Sequence, residues 1–509
     1  MSLLIEWGAP GTGKTYELKK HFCEYKNNRV HLTTFSRASA NKTRFELARE
    51  LDIDPKELSK TVNTIHGTCY QLLGGPSHAK VVDNKQIKEF NAETGYNFKV
   101  SNDTPDPDNG SGIYDAYTWL QNTQTPLEKV DDYPNFRKLN IAPTDAREQI
   151  KHYIEWKEKH ALIDFSDMLE DVLKSGLVPD VDLLLVDEFQ DLTALQNKIF
   201  KAWNEHIDNV VVAGDPLQSI YGFMGGSPDY FQELDGIKKV IPYSHRLSKN
   251  ILGYAVDVAT DADMETPEIE TATHTGKIKH ISYRDYVNDV AGWEGTPKHE
   301  VYHLVRSRYQ APAICKIMID NGIIWTGLNE WTDSNISTLN TINRVRNGEP
   351  LFKPHLQTLA YLYPMKMFNF WGSKNELLEH VKTLENAVLP GGLVTPALYA
   401  VVMSDDPTGE MEKVHPTTRQ KINNALKKHK SHLQRSEIKT SVLTIHASKG
   451  LDADRVYLHS GISTNTKKAM RADPAAEARV FYVGITRARK ELVIVKDKGA
   501  NYHLPVVVS

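Results

Sequence analysis

The chain has little cysteine, no long apolar run and no excess of positive charge. Its three cysteines, Cys23, Cys69 and Cys315, have the spacing of neither a disulfide framework nor a zinc site. We find no signal peptide and no segment long enough to span a bilayer, so we expect a cytoplasmic protein without membrane contact. The formal net charge is −4, so any nucleic-acid surface must be a local groove.

Length and composition indicate a globular protein with more than one core. The 509 residues exceed what a single hydrophobic core usually supports. Apolar residues make up 40% and charged residues 25%, which is ordinary for folded domains. We therefore expect several compact units.

A glycine-rich turn near the start of the chain predicts a phosphate-binding loop. The turn has the sequence Gly8-Ala9-Pro10-Gly11-Thr12-Gly13-Lys14-Thr15 and lies between an apolar run and a helical pattern. Glycines let backbone N–H groups converge on phosphate oxygens, and the following helix directs its positive end toward them. In this pattern Lys14 reaches the outer phosphates and the Thr15 hydroxyl binds Mg²⁺. The segment predicts binding of a nucleoside triphosphate.

A second segment supplies two adjacent carboxylates. Residues 183–186 are all apolar, which predicts a strand covered on both faces, and Asp187 and Glu188 follow directly. Open α/β sheets bind ligands at the carboxyl ends of their strands. We therefore expect Asp187 to complete the Mg²⁺ shell and Glu188 to activate the attacking water. Alone, such a pair would be two exposed acids closing a strand, but the phosphate loop favours the catalytic interpretation.

A third predicted strand, residues 210–213, leads into a segment with polar and aromatic side chains. Gln218 lies where it can sense a γ-phosphate, although a lone loop glutamine is usually only solvated. Tyr221 and Phe223 are two residues apart and are either core residues or platforms on which bases stack.

Six segments occur in one order along the chain. They are GAPGTGKT (8–15), VDEFQD (186–191), GDPLQSIYGF (214–223), YSHRLS (243–248), TIHASKGLD (444–452) and YVGITRAR (482–489). Together they resemble the UvrD/Rep-like helicases of superfamily 1. The resemblance implies an α/β fold of two RecA-like parallel-sheet P-loop NTPase domains, each with a mostly helical insertion, and ATP with Mg²⁺ between them.

The resemblance also implies a division of the chain into four parts. The first RecA-like domain is expected at 1–80 and 158–240, its insertion at 81–157, the second RecA-like domain at 241–328 and 437–509, and its insertion at 329–436. The first insertion contains a turn-rich segment at 103–112. With little chain after the last segment, we expect a compact, monomeric motor.

Further nucleotide contacts follow from the resemblance. Arg246 and Arg487 stand where the family places arginines that reach the γ-phosphate, and Gly450 and Asp452 where it contacts the ribose. A planar cation suits the charge that spreads over phosphoryl oxygens in the transition state. Tyr16 replaces the arginine that commonly follows the loop, so the base contact is expected to differ.

A channel for single-stranded DNA is implied as well. Its expected residues are Phe35, Ser36, Arg37, Thr64, His66, Tyr221, Phe223, Thr444 and His446. Hydroxyls and N–H groups would hold phosphates while aromatic rings stack on bases. Asp164, just upstream of the two carboxylates, is interpreted as a structural helix cap.

A basic stretch at 419–439 carries Lys421, Lys427, Lys428, Lys430 and Arg435. It would contact duplex phosphates or would form a solvated helix face, and the sequence leaves both open.

The sequence thus predicts an ATP-dependent single-stranded-DNA translocase and DNA helicase that acts at single-strand/duplex junctions, with the 3′-to-5′ polarity that the resemblance implies. One alternative is a DNA-stimulated ATPase that strips proteins from DNA without unwinding it. Another is a non-catalytic scaffold, which the intact catalytic residues Lys14, Asp187 and Glu188 argue against.

Overall fold

The computed structural model describes residues 2–25, 29–77, 80–99, 112–272, 275–293, 298–384, 392–498 and 502–503. The turn-rich segment predicted at 103–112 lies, except for Gly112, outside the described residues.

The first part of the chain alternates strands and helices. Its elements are β1 (Ser2–Trp7), α1 (Lys14–Glu24), β2 (Val30–Thr34), α2 (Arg37–Leu51), β3 (Val62–Thr64) and α3 (Ile65–Leu72). Gly13 has a φ of 89°, which glycine adopts without strain, and this turn starts α1 directly after the phosphate loop. The side chains of Ser36 and Thr64 cap α2 and α3.

A mostly helical segment follows, as predicted. It consists of β4 (Lys80–Val81), α4 (Asn84–Thr94), α5 (Ile113–Thr123), α6 (Pro143–Lys159) and β5 (Leu162–Ile163). Its own aromatic core includes Phe90, Tyr117, Tyr153 and Trp156. Phe90 contacts Tyr153 edge-on with ring centroids 5.4 Å apart, a favoured arrangement for aromatic pairs.

The chain then returns to the first sheet. The elements are α7 (Phe165–Lys174), β6 (Leu183–Val186), α8 (Ala194–Asn204), β7 (Asn209–Gly214), α9 (Asp229–Gln232) and β8 (Ile237–Val240). The strand order is β3-β2-β6-β7-β1-β8, and all neighbouring pairs are parallel. The carboxyl ends of β1, β6 and β7 therefore meet at one edge, where the phosphate loop and the two carboxylates lie.

The next segment begins a second sheet. It contains β9 (Tyr243–Ser248), α10 (Lys249–Thr260), β10 (Glu270–Ala272), β11 (Lys277–Ser282), α11 (Tyr283–Ala291), β12 (Val301–Val305), α12 (Ala311–Asp320) and β13 (Thr326–Gly327). A helical insertion follows, with α13 (Asp333–Arg346), α14 (Lys353–Leu362), α15 (Lys374–Thr383), α16 (Pro396–Met403) and α17 (Pro416–Lys428).

The second sheet is completed by the last part of the chain. This part contains β14 (Thr440–Thr444), β15 (Ala453–His459), β16 (Gly461–Ile462), α18 (Thr464–Ala472), α19 (Pro474–Ile485), β17 (Ala488–Lys496) and β18 (Tyr502–His503). The pairs β9–β10 and β16–β18 form two small sheets of their own. The order of the second sheet is β11-β17-β15-β12-β14-β13, again all parallel. The predicted pair of parallel sheets is confirmed. Of the helices in the described part of the chain, none has the length and apolar character to cross a bilayer.

A buried lysine joins the first insertion to the first sheet. The ammonium of Lys157, which is 3% exposed, lies 2.6 Å from Asp164 Oδ2 and 2.8 Å from the Tyr117 hydroxyl, and it also contacts Asp167. Asp164 caps α7 through its other oxygen, as the sequence predicted. Burial and the neighbouring Asp164 raise the pKa of Asp167 to about 6, although Lys157 opposes the shift.

Replacing Lys157 by Met is expected to destabilise the protein by about 3–5 kcal/mol, because the buried Asp164 and the partly buried Asp167 lose their shared cation. Lys159→Met, on the exposed side of the same helix, is expected to change stability by less than about 0.5 kcal/mol. Thermal unfolding of both variants measures the difference. Equal shifts in the two variants would contradict this role for Lys157.

Candidate nucleotide site and strand channel

The phosphate loop is folded around its own lysine. Lys14, only 8% exposed, donates a hydrogen bond of 2.7 Å to the Gly8 carbonyl. Gly11 and Gly13 have φ values of 78° and 89°, in the region that favours glycine. A Cβ added at Gly11 would lie 2.3 Å from the Cβ of Arg246, so the second half of the chain packs directly against the loop.

Two residues predicted to hold Mg²⁺ are brought together. The Thr15 hydroxyl donates a hydrogen bond of 2.7 Å to Asp187 Oδ2, although 172 positions separate the two residues. Hydroxyl and carboxylate oxygens are the hard ligands that Mg²⁺ accepts beside phosphate oxygens. Burial and the adjacent Glu188 raise the pKa of Asp187 to about 6, so a cation here would relieve a real electrostatic cost. The residues therefore fit the ion.

Glu188 is held in an uncommon backbone conformation. Its φ is 56°, which a residue with a side chain adopts at an energetic cost. The Gln190 amide donates to its carboxylate, and the same amide group accepts the Asp215 N–H at 2.9 Å. Burial by itself raises the pKa of Glu188, but the Lys449 and Lys14 ammoniums outweigh it and the net shift is downward. Glu188 is therefore ionised at neutral pH.

Gln218 and Arg487 meet across the interface between the two sheets. Gln218 donates 2.7 Å to Asp215 Oδ2, and its oxygen accepts a hydrogen bond of 3.2 Å from Arg487. Arg487 is 1% exposed, and its other N–H groups bond to the carbonyls of Val483 and Leu451. Burial lowers its pKa to about 10, so the guanidinium stays charged at neutral pH.

Strand β9 packs on the phosphate loop through hydrogen bonds to two loop carbonyls. The Ser244 hydroxyl donates 2.8 Å to the Pro10 carbonyl, and the His245 N–H donates 2.9 Å to the Gly11 carbonyl. Arg246 follows directly and lies beside the loop. The two predicted arginines therefore approach the loop side of the first sheet from the second half of the chain.

Asp452, expected at the ribose, is engaged by arginines. Its two oxygens lie 2.9 Å from Arg246 Nε and 3.1 Å from Arg489 Nη1. Gly450 just before it has a φ of 80°. Tyr16, expected near the base, is 61% exposed. The ribose and base contacts of these residues stay predictions, and a ribose would compete with the arginines for Asp452.

Four of the residues predicted to contact DNA form a continuous row of rings. Phe35 stacks on Tyr221 with centroids 5.3 Å apart and planes within 14°. Tyr221 contacts Phe223 edge-on at 6.2 Å, and Phe223 contacts His446 edge-on at 5.6 Å. The row crosses from the first sheet to the second, because His446 follows β14. Such rings match the stacking platforms of single-strand-binding proteins.

The remaining predicted DNA contacts lie at helix starts and turns. Ser36, Thr64 and Thr444 each accept, at 3.1 Å, the N–H three residues further on. Arg37 lies over the ring of Phe165 at 5.7 Å, and His66 contacts the same ring edge-on. Burial lowers the pKa of His66 to about 4, so its imidazole is neutral at neutral pH.

Sequence reasoning missed Lys449, a residue that connects the two sheets. Its ammonium pairs with the buried Asp191, donates 2.7 Å to the Gln218 carbonyl and lies 4.9 Å from the centre of the Tyr221 ring. Burial raises the pKa of Asp191 to about 7, although Lys449 opposes it. Lys449 lies within the segment TIHASKGLD, but nothing local indicated that it reaches across to the other sheet.

Fold and site define a two-domain P-loop NTPase of the RecA-like class. The family description "UvrD/REP helicase N-terminal domain" matches residues 2–237, and "UvrD-like helicase C-terminal domain" matches residues 403–499. Together the matches span more than half of the chain. The chain belongs to the UvrD/Rep-like helicases of superfamily 1, as its six ordered segments predicted.

Curated relatives share modest identity with the chain. The ATP-dependent DNA helicase UvrD2 of Mycobacterium bovis is 23% identical over 69% of this chain and 55% of its own length. The ATP-dependent DNA helicase PcrA of Leuconostoc citreum is 26% identical over 55% of this chain and 40% of its own length. The chain therefore spans about half or less of the length of these two relatives.

Lys449→Met is expected to weaken binding of a non-hydrolysable ATP analogue at least tenfold, because closing the interface then buries Asp191 without its cation. The loss should be smaller at pH 6 than at pH 8, since a protonated Asp191 needs no partner. Fluorescence titration measures the affinity, with Lys468→Met on exposed α18 as the matched control. A loss independent of pH would contradict the role of the ion pair.

Proposed function

We propose that this protein is an ATP-dependent single-stranded-DNA translocase and DNA helicase that moves 3′ to 5′. The observation that carries the proposal is the contact between Arg487 and Gln218, which joins a cation of one sheet to the γ-phosphate sensor of the other. A nucleotide at the phosphate loop would lie at the same interface as the aromatic row. Closure of this interface on nucleotide binding would therefore change the nucleotide site and the aromatic row together.

In this proposal, the side chains around the phosphate loop have distinct roles in ATP hydrolysis. Lys14 binds the outer phosphates once it is released from the Gly8 carbonyl. Ionised Glu188 orients the attacking water and accepts its proton. Arg487 stabilises the charge that develops on the transferred phosphoryl oxygens. Mg²⁺, held by Thr15 and Asp187, would neutralise charge on the β- and γ-phosphates.

One short segment would couple ATP hydrolysis to movement of the DNA strand. Asp215, Gln218, Tyr221 and Phe223 lie within ten residues after β7. A displacement of Gln218 on phosphate release would therefore move the rings of Tyr221 and Phe223. Repeated opening and closing would pass the strand across these rings, one set of stacking contacts at a time.

The remaining parts of the proposal follow the family pattern. We propose the four-part domain division given above, a cytoplasmic monomer, and single-strand/duplex junctions as substrates. Unwinding of 3′-tailed and 5′-tailed duplexes tests the polarity. Displacement of a protein block from single-stranded DNA, measured beside unwinding, separates a helicase from an ATPase that only strips proteins.

Glu188→Gln is expected to lower DNA-stimulated ATP hydrolysis by at least 100-fold, because the amide cannot accept the proton of the attacking water. Lys14→Ala should have a similar effect through loss of phosphate binding. Glu24→Gln, an exposed acid on α1, is the control and should keep full activity. Steady-state ATPase assays with and without single-stranded DNA provide the measurement. Near-normal turnover in Glu188→Gln would rule out the assigned base.

Phe223→Ala is expected to increase the ATP consumed per base pair unwound several-fold, because loss of one stacking platform costs about 1–3 kcal/mol per base. Phe45→Ala, at a 65% exposed residue outside the aromatic row, is the control. Unwinding and hydrolysis are measured on the same tailed duplex. An unchanged ratio in Phe223→Ala would remove this ring from the strand path.

A further inference from the structure

The segment that carries two rings of the strand channel ends in a turn enclosed by two other parts of the protein. Phe223 lies in the short helical turn Gly222–Met224, and Gly225 follows with a φ of 93°. On one side, the Ser227 N–H donates 3.3 Å to the Leu192 carbonyl, close after the catalytic carboxylates in the chain. On the other side lies the end of helix α5, which belongs to the first insertion.

Helix α5 contacts this turn through its last two residues. The side-chain amide of Asn122, which is 8% exposed, donates a hydrogen bond of 3.3 Å to the Met224 carbonyl. A Cβ added at Gly225 would lie 2.7 Å from Thr123 Cγ2, so the helix packs too closely on the turn for a side chain there. The first insertion therefore holds the backbone directly after Phe223.

The end of α5 is itself supported within the first half of the chain. Lys198 on α8 donates 2.7 Å to the side-chain oxygen of Gln124, the residue that ends α5. The Thr123 hydroxyl donates 2.8 Å to the Trp119 carbonyl of its own helix. These contacts involve neither the phosphate loop nor the second half of the chain, so they do not depend on a bound nucleotide.

The start of the same segment is attached to the nucleotide site instead. Gln218 contacts Asp215 and, across the interface, Arg487. Phe223 lies five residues further on. The segment 218–225 therefore has one attachment that would respond to the γ-phosphate and a second attachment, on α5, that would not.

We propose that Asn122 is a positioning residue that holds the Phe223 ring in the strand channel. The inference rests on the proposed helicase function and adds a fixed attachment to the segment that moves. With Met224 held against α5, displacement of Gln218 turns the rings between two attachments, and the segment as a whole stays beside the strand. Asn122 acts through the backbone of Met224 and not on the substrate.

The variant Asn122→Leu tests this role in the full chain, because leucine has a similar size and cannot donate to the Met224 carbonyl. The matched control is Asn91→Leu. It removes a hydrogen bond of 2.8 Å to the Phe98 carbonyl within the same insertion, outside the contact with the turn.

The first measurement is the ATP consumed per base pair unwound on a tailed duplex. We expect a rise of at least about twofold in Asn122→Leu, because loss of one hydrogen bond increases the population of the misplaced ring by about two- to tenfold. Asn91→Leu should leave the ratio unchanged. ATP hydrolysis without DNA should be unchanged in both variants, which shows that they fold and keep the nucleotide site.

A double-variant cycle separates positioning from a general loss of stability. If Asn122 acts through the ring, Asn122→Leu should have almost no further effect on the ratio in a Phe223→Ala background, because the group that it positions is already absent. Multiplication of the two effects would assign Asn122 a purely structural role and overturn the proposal.

Hydrogen exchange of residues 219–227 measures the positioning without DNA or nucleotide. The Met224 and Gly225 N–H groups each donate a hydrogen bond of 2.9 Å within the turn, so their exchange reports its opening. We expect exchange about two- to tenfold faster in Asn122→Leu, the factor for one lost hydrogen bond, and no change in Asn91→Leu.

Unchanged exchange in Asn122→Leu, or equal acceleration in both variants, would overturn the proposal. Failure of the wild type to unwind DNA would instead refute the helicase function. In that case the exchange measurement still decides whether Asn122 holds the turn that follows Phe223.

Discussion

The buried charges between the two sheets are the constraint on which the rest of the structure depends. Glu188, Asp191, Arg487 and Lys449 lie in or beside an interface that excludes water, and each charge finds its compensation partly in the other half of the chain. Unpaired charges in such an environment cost several kcal/mol. Charge pairing therefore contributes to holding the two halves together. A bound triphosphate would add negative charge at this interface and interact with the same buried groups.

The buried charges are also in contact with the strand channel, because one short segment contributes side chains to both sites. Gln218 touches Arg487 through its side chain and Lys449 through its carbonyl, and Lys449 also lies over Tyr221. Tyr221 in turn stacks on Phe35. Displacement of any of these groups alters the packing of the next. The proposed coupling of hydrolysis to strand movement thus needs no long path through the protein.

The sequence predicted those features that depend only on interactions between neighbouring residues. Residues 183–186 form β6 as predicted, because four apolar residues ahead of two acids suit a strand covered on both faces. The Asp164 cap on α7 was likewise predictable, since capping needs only a side chain and the next turn of backbone. Burial of Lys157 and Lys421 was not, because a lysine has the same local pattern on a solvated face and over a buried partner. The four-part domain boundaries and the roles of the site residues stay predictions.

By itself, the sequence determined the two parallel sheets, the phosphate loop, the carboxylate pair and the family to which the chain belongs. Only the tertiary structure decided that Lys449 bridges the sheets and that Asp452 is engaged by Arg246 and Arg489. The reason is that backbone geometry and apolar patterning depend on a few neighbouring residues. The burial and the partners of a charged side chain depend instead on the distant segment that packs against it.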